Sequence, residues 1–499
     1  MKRPKLGRIQ NTVVLFLFVV PFTTFFYASY VFNPIHAGNM TLYVLQVIAD
    51  AIAITTVGTL WLTILLDLIV PDHRQRDLLY RPEWVRLKHA TVDIFIPVST
   101  ESFSIIEKTL RQVSSLPYTK KCVYVLDDGG SEKIRNLAST LGVCYFSRKK
   151  HERTFAKSGN INFGLRHAKG EFVVIFDADH VPHENFLERL LPFFENDRVA
   201  LVQTPQHYSN TDHFIPAGTS QAQEIFYTYV QPAKNSYNAA FCVGTNMIFR
   251  RKALDAIGGV ALRNHSEDIW TTIYLHENGY ESVYVNEVLA SGRAPENIPA
   301  YFRQQNRWAR GGFTLFFYKN PLFVTGLTLD QRMQYFFSNI HYFSGFAILI
   351  YLLLPIVYLF FDIHPMNLRY SHELLIRYVP YAATVFFLPW FLLGRIRLAT
   401  ISTSIVLFSE YIRAFLSVIG KESYTWIATE GDERVTEKPI MVYIWPHVLF
   451  LALAFLAILV GWYNPADFSA TILATLWIGV NSYFVFEFLN RGLITKETV

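Results

Sequence analysis

Long apolar runs bracket a central stretch in which apolar and polar residues alternate over much shorter distances. A helix needs about 20 apolar residues to cross a bilayer. Six stretches reach that length, at about 12 to 32, 43 to 70, 341 to 362, 374 to 394, 440 to 462 and 468 to 489. Residues 71 to about 330 contain no such run and are numerous enough for one α/β domain. Within them, Val92–Val98, Cys122–Leu126, Phe172–Phe176 and Ala200–Gln203 predict short strands, and Ser104–Ser114 and Ser131–Leu141 predict helices between them. The alternation predicts a mostly parallel, Rossmann-like sheet whose ligands bind beyond the carboxyl ends of its strands. The expected organisation is two membrane helices over 1–70, an α/β domain over 71–330, and a membrane region of about four spans over 331–499. An interfacial helix and a polar loop occupy 402–439 of that region. The aromatic and basic stretch from Pro299 to about His341 predicts helices along a membrane face.

Composition agrees with this division. Of 499 residues, 51% are hydrophobic and only 17% charged, with a mean hydropathy of +0.22, too apolar for an ordinary soluble enzyme. The net charge of +5 gathers near the ends of apolar runs, so no nucleic-acid surface is expected. Lys2, Arg3, Lys5 and Arg8 precede the first run, whereas Val31–Leu42 has no Lys or Arg, which predicts a cytoplasmic N-terminus. Six crossings return the C-terminus to that side. The basic loop from Arg395 to Pro439 agrees, and Arg369 and Arg377 are a mild exception. The length of the first run and the absence of a small-x-small site predict a retained anchor rather than a cleaved signal. Cys122, Cys144 and Cys242 have no metal-ligand spacing and are expected as buried free thiols.

Four signatures lie in order within the central stretch: Asp127-Asp128-Gly129-Gly130, Asp177-Ala178-Asp179, Glu267-Asp268 and Gln304-Gln305-Asn306-Arg307-Trp308. Each alone is ordinary; their joint order carries the weight. Two predicted strands run directly into the first two signatures. Asp177 and Asp179, one residue apart at a strand end, suit a hard divalent cation, Mg²⁺ or Mn²⁺, that also binds a diphosphate. Such an ion stabilises charge on the leaving group when a nucleotide sugar is cleaved. An inverting transfer then needs one carboxylate to take the acceptor's proton, and Asp268 is the candidate. Two carboxyl groups also suit a glycosidase, but hydrolysis explains neither the metal-type pair nor the apolar runs. Lys157 is placed to neutralise diphosphate oxygens, Gln304 and Arg307 offer donors to phosphate, and Trp308 offers a flat face for a sugar ring. Glu267 is either an acceptor contact or a cap of the helix that follows. For His180, packing in the turn is expected over metal binding.

These motifs resemble the membrane-embedded, processive family 2 glycosyltransferases, and among them the bacterial cellulose synthases. The segments Ala156-Lys157-Ser158-Gly159-Asn160, Phe176–Pro182, Thr204-Pro205-Gln206, Glu224-x-Phe226-Tyr227 and Ser266-Glu267-Asp268 fit the family's patterns, over about residues 71 to 325. The resemblance implies a GT-A fold that binds a UDP-sugar donor through Asp127 and Asp128, with Asp179 carrying most of the metal contact. It implies Asp268 as general base, Gln304 and Arg307 over the diphosphate, and Trp308 as the floor for a growing polysaccharide acceptor. It further implies a channel through the bilayer, for which Trp390, Tyr411, Phe415 and Trp445 are candidate liners, and a possible periplasmic or export subunit.

Two departures bear on the product. Trp426-Ile427-Ala428-Thr429-Glu430-Gly431 stands where the family has a Phe-x-Val-Thr-x-Lys gating loop, and Phe241-Cys242-Val243-Gly244 where it has Phe-Phe-Cys-Gly. The sequence ends about ten residues after its last apolar run, so regulation through a cyclic-di-GMP-binding PilZ domain of this chain is not expected. The expected activity is polymerisation of a UDP-hexose, UDP-glucose first, into a β-glucan exported across the plasma membrane. A UDP-GlcNAc polysaccharide synthase, a non-processive glycolipid transferase and a degenerate transferase serving as transporter or assembly subunit remain alternatives.

Overall fold

A computed structural model describes residues 14–69, 87, 89–263, 266–367, 371–422, 438–463, 465 and 467–494. Lys2, Arg3, Lys5, Arg8, Arg369 and the gating-like stretch Trp426–Gly431 lie outside the described residues.

The central domain is built on a seven-stranded sheet of order β3-β2-β1-β4-β7-β6-β8. Its strands are β1 Val92–Val98, β2 Lys121–Asp127, β3 Cys144–Phe146, β4 Phe172–Ile175, β6 Val199–Gln203, β7 Met247–Arg250 and β8 Glu281–Tyr284. All neighbours pair in parallel except β7, which runs antiparallel to β4 and β6. The four predicted strands are β1, β2, β4 and β6, with ends within a residue or so of the expectation. Strands β3, β7 and β8 span three or four residues, too few for a period to register. A small sheet, β5 (Val181–Pro182) with β9 (Ala290–Ser291), stands apart from it.

Side chains alternate across a strand, and both faces here are apolar. Val92, Ile94, Ile96 and Val98 of β1 enter one core cluster with Ile106, Leu110 and Val113 of helix Phe103–Ser114. Phe95 enters another with Ile161 and Leu165 of helix Ala156–His167. Helix Phe103–Ser114 buries its i, i+4 and i+7 positions, Ile106, Leu110 and Val113, and the sheet is covered on both sides. The carboxyl ends of β1, β2 and β4 and the start of β7 consequently share one edge.

Among the described residues, six helices are long and apolar enough to cross a membrane: Met40–Leu66, Leu329–Phe361, His372–Leu393, Leu398–Ile419, Met441–Tyr463 and Phe468–Ile494. The chain has the composition of a multi-pass membrane protein, as expected, but the membership of the six differs. Of the first predicted span, residues 14–32 are described, and they contain the shorter apolar helix Leu17–Val31. Leu398–Ile419, expected as an interfacial helix from 402, is apolar enough to qualify and is the most enclosed of the six, with 61% of its most apolar stretch buried. It breaks at Val406-Leu407 into helices Leu398–Ile405 and Phe408–Ile419.

Polar contacts fasten the α/β domain to these helices. Arg395 pairs with Glu224 at 2.6 Å, Gln221 accepts from the Arg397 amide at 2.7 Å, and the buried Lys234 donates to the Gln334 carbonyl. Helix Ile298–Tyr318 begins at an Asn297 cap and lies against Phe408–Ile419, where Asn306 donates to Glu410 at 3.1 Å and Tyr318 to the Val418 carbonyl at 3.1 Å. Within the apolar region, Asp50 is buried and accepts from Tyr351 at 2.7 Å, Gln46 at 2.8 Å and Tyr27 at 2.9 Å, which joins three helices.

Candidate active site

A cleft opens at the carboxyl edge of the sheet, against helix Ile298–Tyr318. It is lined by Asp128, Lys157, Asp177, Asp179, Glu267, Asp268, Gln304, Arg307 and Trp308, nine of the ten residues singled out in the sequence. Asp127 is the tenth and does not line it. Its fully buried carboxylate accepts from the amides of Gly129 (2.7 Å), Gly130 (3.0 Å) and Ser131 (2.8 Å) and from the Tyr145 hydroxyl (2.8 Å). Asp127 thus closes the turn after β2, and Asp128 is the residue turned to the cleft. Gly129 permits the turn's shape, because a methyl there would stand 2.5 Å from the Ser99 carbonyl oxygen.

Asp128 is held in turn by Arg148, a residue the sequence reading did not single out. The guanidinium donates to both carboxylate oxygens, at 2.6 and 2.9 Å, and to the carbonyls of Glu152, Thr154 and Ala156. Arg148 follows β3 and lies 20 residues from its partner, so no local period marks it. With Arg148 only 3% exposed and Asp128 11%, the pair is a buried one. Removing one member of such a pair leaves an uncompensated buried charge. Arg148→Ala is therefore expected to cost about 3 to 5 kcal/mol of stability, read as a lowered thermal midpoint of the detergent-solubilised chain.

Helix Ala156–His167 brings Lys157 into the cleft. Its ammonium donates to Asp177 and, at 2.7 Å, to the Gly244 carbonyl. Burial lowers the lysine's pKa, but Asp177, Glu267 and Asp268 outweigh it and raise the pKa above the ordinary value. The carboxylates of Asp177 and Asp179 and a ring nitrogen of His180 lie within 4.8 Å of one another. His180 Nδ1 is 2.9 Å from Asp179 Oδ1, and its Nε2 is buried with no hydrogen-bond partner among the described residues. The two carboxylates make an oxygen-rich donor set that fits Mg²⁺ or Mn²⁺. Packing in the turn, the role expected of His180, is also present, since the ring lies against Gly292. Glu101, beyond β1, is a further acid in the cleft. Burial, reinforced by Asp179 and Asp177, raises its carboxyl to about 7 despite a hydrogen bond from the Ser99 amide. Its place at a strand's carboxyl end was the signal that could have found it.

Asp268 sits in the first turn of helix Glu267–Glu277. Burial first, then the charge of Glu267, raises its carboxyl to about 7, against the pull of the Ile269 amide and Lys157. A methyl at Gly244 would stand 3.6 Å from Lys157 Nζ and 3.7 Å from Asp268 Oδ2, so the two groups flank one point of the cleft wall. Cys242 lies beneath the turn, its thiol 2.8 Å from the Asp268 carbonyl, and burial raises its pKa well above the usual value. The displaced cysteine of the Phe-Cys-Val-Gly stretch is thus an inert packing group. Cys122 is half-buried and Cys144 exposed, so only one of the three thiols is buried as expected. A carboxyl raised to about 7 is charged, and able to accept a proton, only above that pH. Any activity that uses Asp268 as a base is expected to rise with pH through about 7. Glu267→Gln removes one raising charge, so it should shift that limb to lower pH in a pH–rate profile.

Gln304, Arg307 and Trp308 fall on one face of Ile298–Tyr318, and Gln304 Oε1 is buried without a hydrogen-bond partner among the described residues. Of the four candidate channel aromatics, Tyr411 is buried and packs edge-on against Tyr342, and Phe415 packs against Phe313, Phe317, Phe343 and Phe346. Trp390 and Trp445 are exposed at 54% and 52%, as lipid-facing side chains would be.

Residues 93–258 match the family model for glycosyl transferase family 2, and residues 256–392 match that for cellulose synthase. The chain carries a family 2 glycosyltransferase domain. It is 36% identical over 291 residues to the cellulose synthase catalytic subunit [UDP-forming] of Pseudomonas fluorescens (strain SBW25), across 56% of this chain and 39% of that one. With cellulose synthase 1 catalytic subunit [UDP-forming] of Komagataeibacter xylinus it shares 34% over 280 residues, across 54% and 37%. A longer match, 27% over 434 residues, joins 81% of the chain to 26% of cellulose synthase 2 of Novacetimonas hansenii. The chain thus spans less than two-fifths of the length of these relatives. Among solved structures, the mannosyltransferase PcManGT from Pyrobaculum calidifontis, in complex with GDP-Man and Mn²⁺, aligns with 76% of this chain and all of its own. The TM-score is 0.51 at 18% identity, a likeness of fold. The glycosyltransferase domain has the GT-A architecture that its motifs imply.

Proposed function

We propose that the chain is a processive, inverting UDP-sugar glycosyltransferase that extends a β-glucan, from UDP-glucose first, and passes it across the plasma membrane from a cytoplasmic catalytic domain. The observation that carries this reading is the convergence in one cleft of Lys157, the Asp177–Asp179 pair, Asp268 and the Gln304–Trp308 face, on a helix packed against apolar helices. The names of the relatives, UDP-forming cellulose synthase subunits, support the donor.

In this reading Asp128, oriented by Arg148, holds the nucleoside, and Lys157 binds diphosphate oxygens. Asp177 and Asp179, with His180 beside them, would hold a divalent cation that stabilises the charge of the departing diphosphate. Gln304 and Arg307 close over the diphosphate, and Trp308 stacks the terminal sugar of the acceptor. Glu267 contacts that acceptor. Asp268 takes the proton from its hydroxyl as the oxygen attacks the anomeric carbon from the face opposite the leaving UDP, which inverts that centre.

The donor is tested by equilibrating the protein, in lipid nanodiscs with Mg²⁺ or Mn²⁺, with UDP-glucose, UDP-GlcNAc and GDP-mannose, and following nucleotide release. Release of UDP from UDP-glucose at the highest kcat/KM is expected. Preference for UDP-GlcNAc would change the product class, and release from none would leave a non-catalytic subunit.

A further inference from the structure

Gln304, Arg307, Trp308 and Gly311 follow one another at i, i+3, i+4 and i+7 along helix Ile298–Tyr318 and so share one face. The first three line the cleft; the fourth is where Ser266 lands. A methyl built at Gly311 would stand 1.7 Å from Ser266 Oγ and 2.7 Å from its Cβ, but 3.7 Å from its Cα. Ser266, with a φ of +50°, immediately precedes Glu267 and Asp268, and its side chain caps none of that helix's amides. Next to it in the chain, Gly312 is pressed against the ring of Tyr342, 2.5 Å from where its methyl would be, just ahead of helix Ser344–Phe361. The glycine pair therefore seats the Asp268 turn on one side and the start of an apolar helix on the other. Alanine outranks glycine inside a helix, so glycine here runs against local propensity. The close contact supplies the reason.

We infer that Gly311 is a positioning residue: the absence of a side chain there sets how near the Asp268 carboxyl stands to the Gln304, Arg307 and Trp308 face. The inference rests on the assignment of Asp268 as base and of that face to donor and acceptor, and adds the contact that fixes their separation.

The test compares Gly311→Ala with the double variant G311A/S266G, both as full chains in nanodiscs. Misplacement by about 1 Å can cost about 10²-fold, so G311A is expected to lower kcat by roughly ten- to hundredfold while UDP affinity stays within about twofold. Ser266→Gly deletes both atoms the new methyl would meet and suits a positive φ. The double variant is therefore expected to be more active than G311A alone. Relief of the clash would restore folding as well as position, so thermal midpoints of both variants are read beside kcat, and a kcat loss in G311A at an unchanged midpoint is the expected result. Amide hydrogen exchange over Glu267–Thr271 reads the same contact without turnover, faster in G311A and restored in the double variant. An unchanged kcat in G311A, a loss that S266G does not relieve, or exchange that does not respond would each overturn the inference. If the unmodified chain transfers no sugar from any donor, the activity assignment fails, and the exchange result alone decides whether Gly311 positions the turn.

Discussion

Asp268→Asn is expected to lower sugar transfer by about 10² to 10⁴-fold, the range that a positioned general base contributes, with UDP affinity nearly unchanged. Asparagine fills the same space and can still accept the Ile269 amide, which donates to Asp268 Oδ1 at 2.9 Å. What it cannot do is take a proton. In the proposed mechanism the lost function falls on the acceptor hydroxyl, and the nucleotide contacts proposed for Asp128, Arg307 and Lys157 stay in place. Initial rates with saturating UDP-glucose, paired with calorimetric titration of UDP, separate the two effects. Loss of UDP affinity with transfer retained would remove Asp268 from the role of base. The part of the rise through about pH 7 that Asp268 carries should also disappear from the residual rate, whereas Glu101, raised to about 7 in the same cleft, is still present.

Asp179→Asn carries the second large effect. Asp179 and Asp177 are the oxygen donors of the candidate cation site, and an uncharged amide is a poor partner for a hard divalent ion. Loss of an outer-shell partner alone costs about 10- to 100-fold in metal affinity, so loss of a direct ligand is expected to exceed that. Transfer should then need much higher Mg²⁺ or Mn²⁺, and UDP affinity should no longer respond to the added ion. Lys157 does not compensate, because its single charge, shared with Asp177, cannot replace that of a divalent ion. Rates and UDP binding measured across a cation titration check this. An Asp179→Asn chain with the cation dependence of the unmodified one would take the ion away from this pair.

Much of the sheet was legible because its strands are short apolar runs that end in polar signatures. Strand β1 alternates between two buried faces, and β2 and β4 run into aspartates. The least legible strands, β3, β7 and β8, are too short to show a period, and β7's antiparallel direction leaves no trace in its composition. In the site, the sequence gives no way to divide Asp127 from Asp128. Successive side chains leave a strand on opposite sides, so only one of the two can face the cleft. The turn amides of Gly129, Gly130 and Ser131 decide which. Arg148 and Gly311 escaped for one reason: each acts on a residue far away in the chain, through a contact that exists only once the sheet and helices have assembled, whereas Glu101 carried a signal in its place after β1. The membrane region shows the opposite failing. Its apolar runs are unmistakable, but hydropathy does not tell an enclosed helix such as Leu398–Ile419 from an exposed one.

The most direct test of a processive glucan synthase is the product itself. The unmodified protein in nanodiscs with Mg²⁺ or Mn²⁺ and radiolabelled UDP-glucose is followed until UDP release stops, and any insoluble label is digested with linkage-specific glucanases. A long glucose polymer, cleaved by one class of β-glucanase and absent from the Asp268→Asn protein, is the predicted result. Label confined to lipid, or UDP release without polymer, would contradict it.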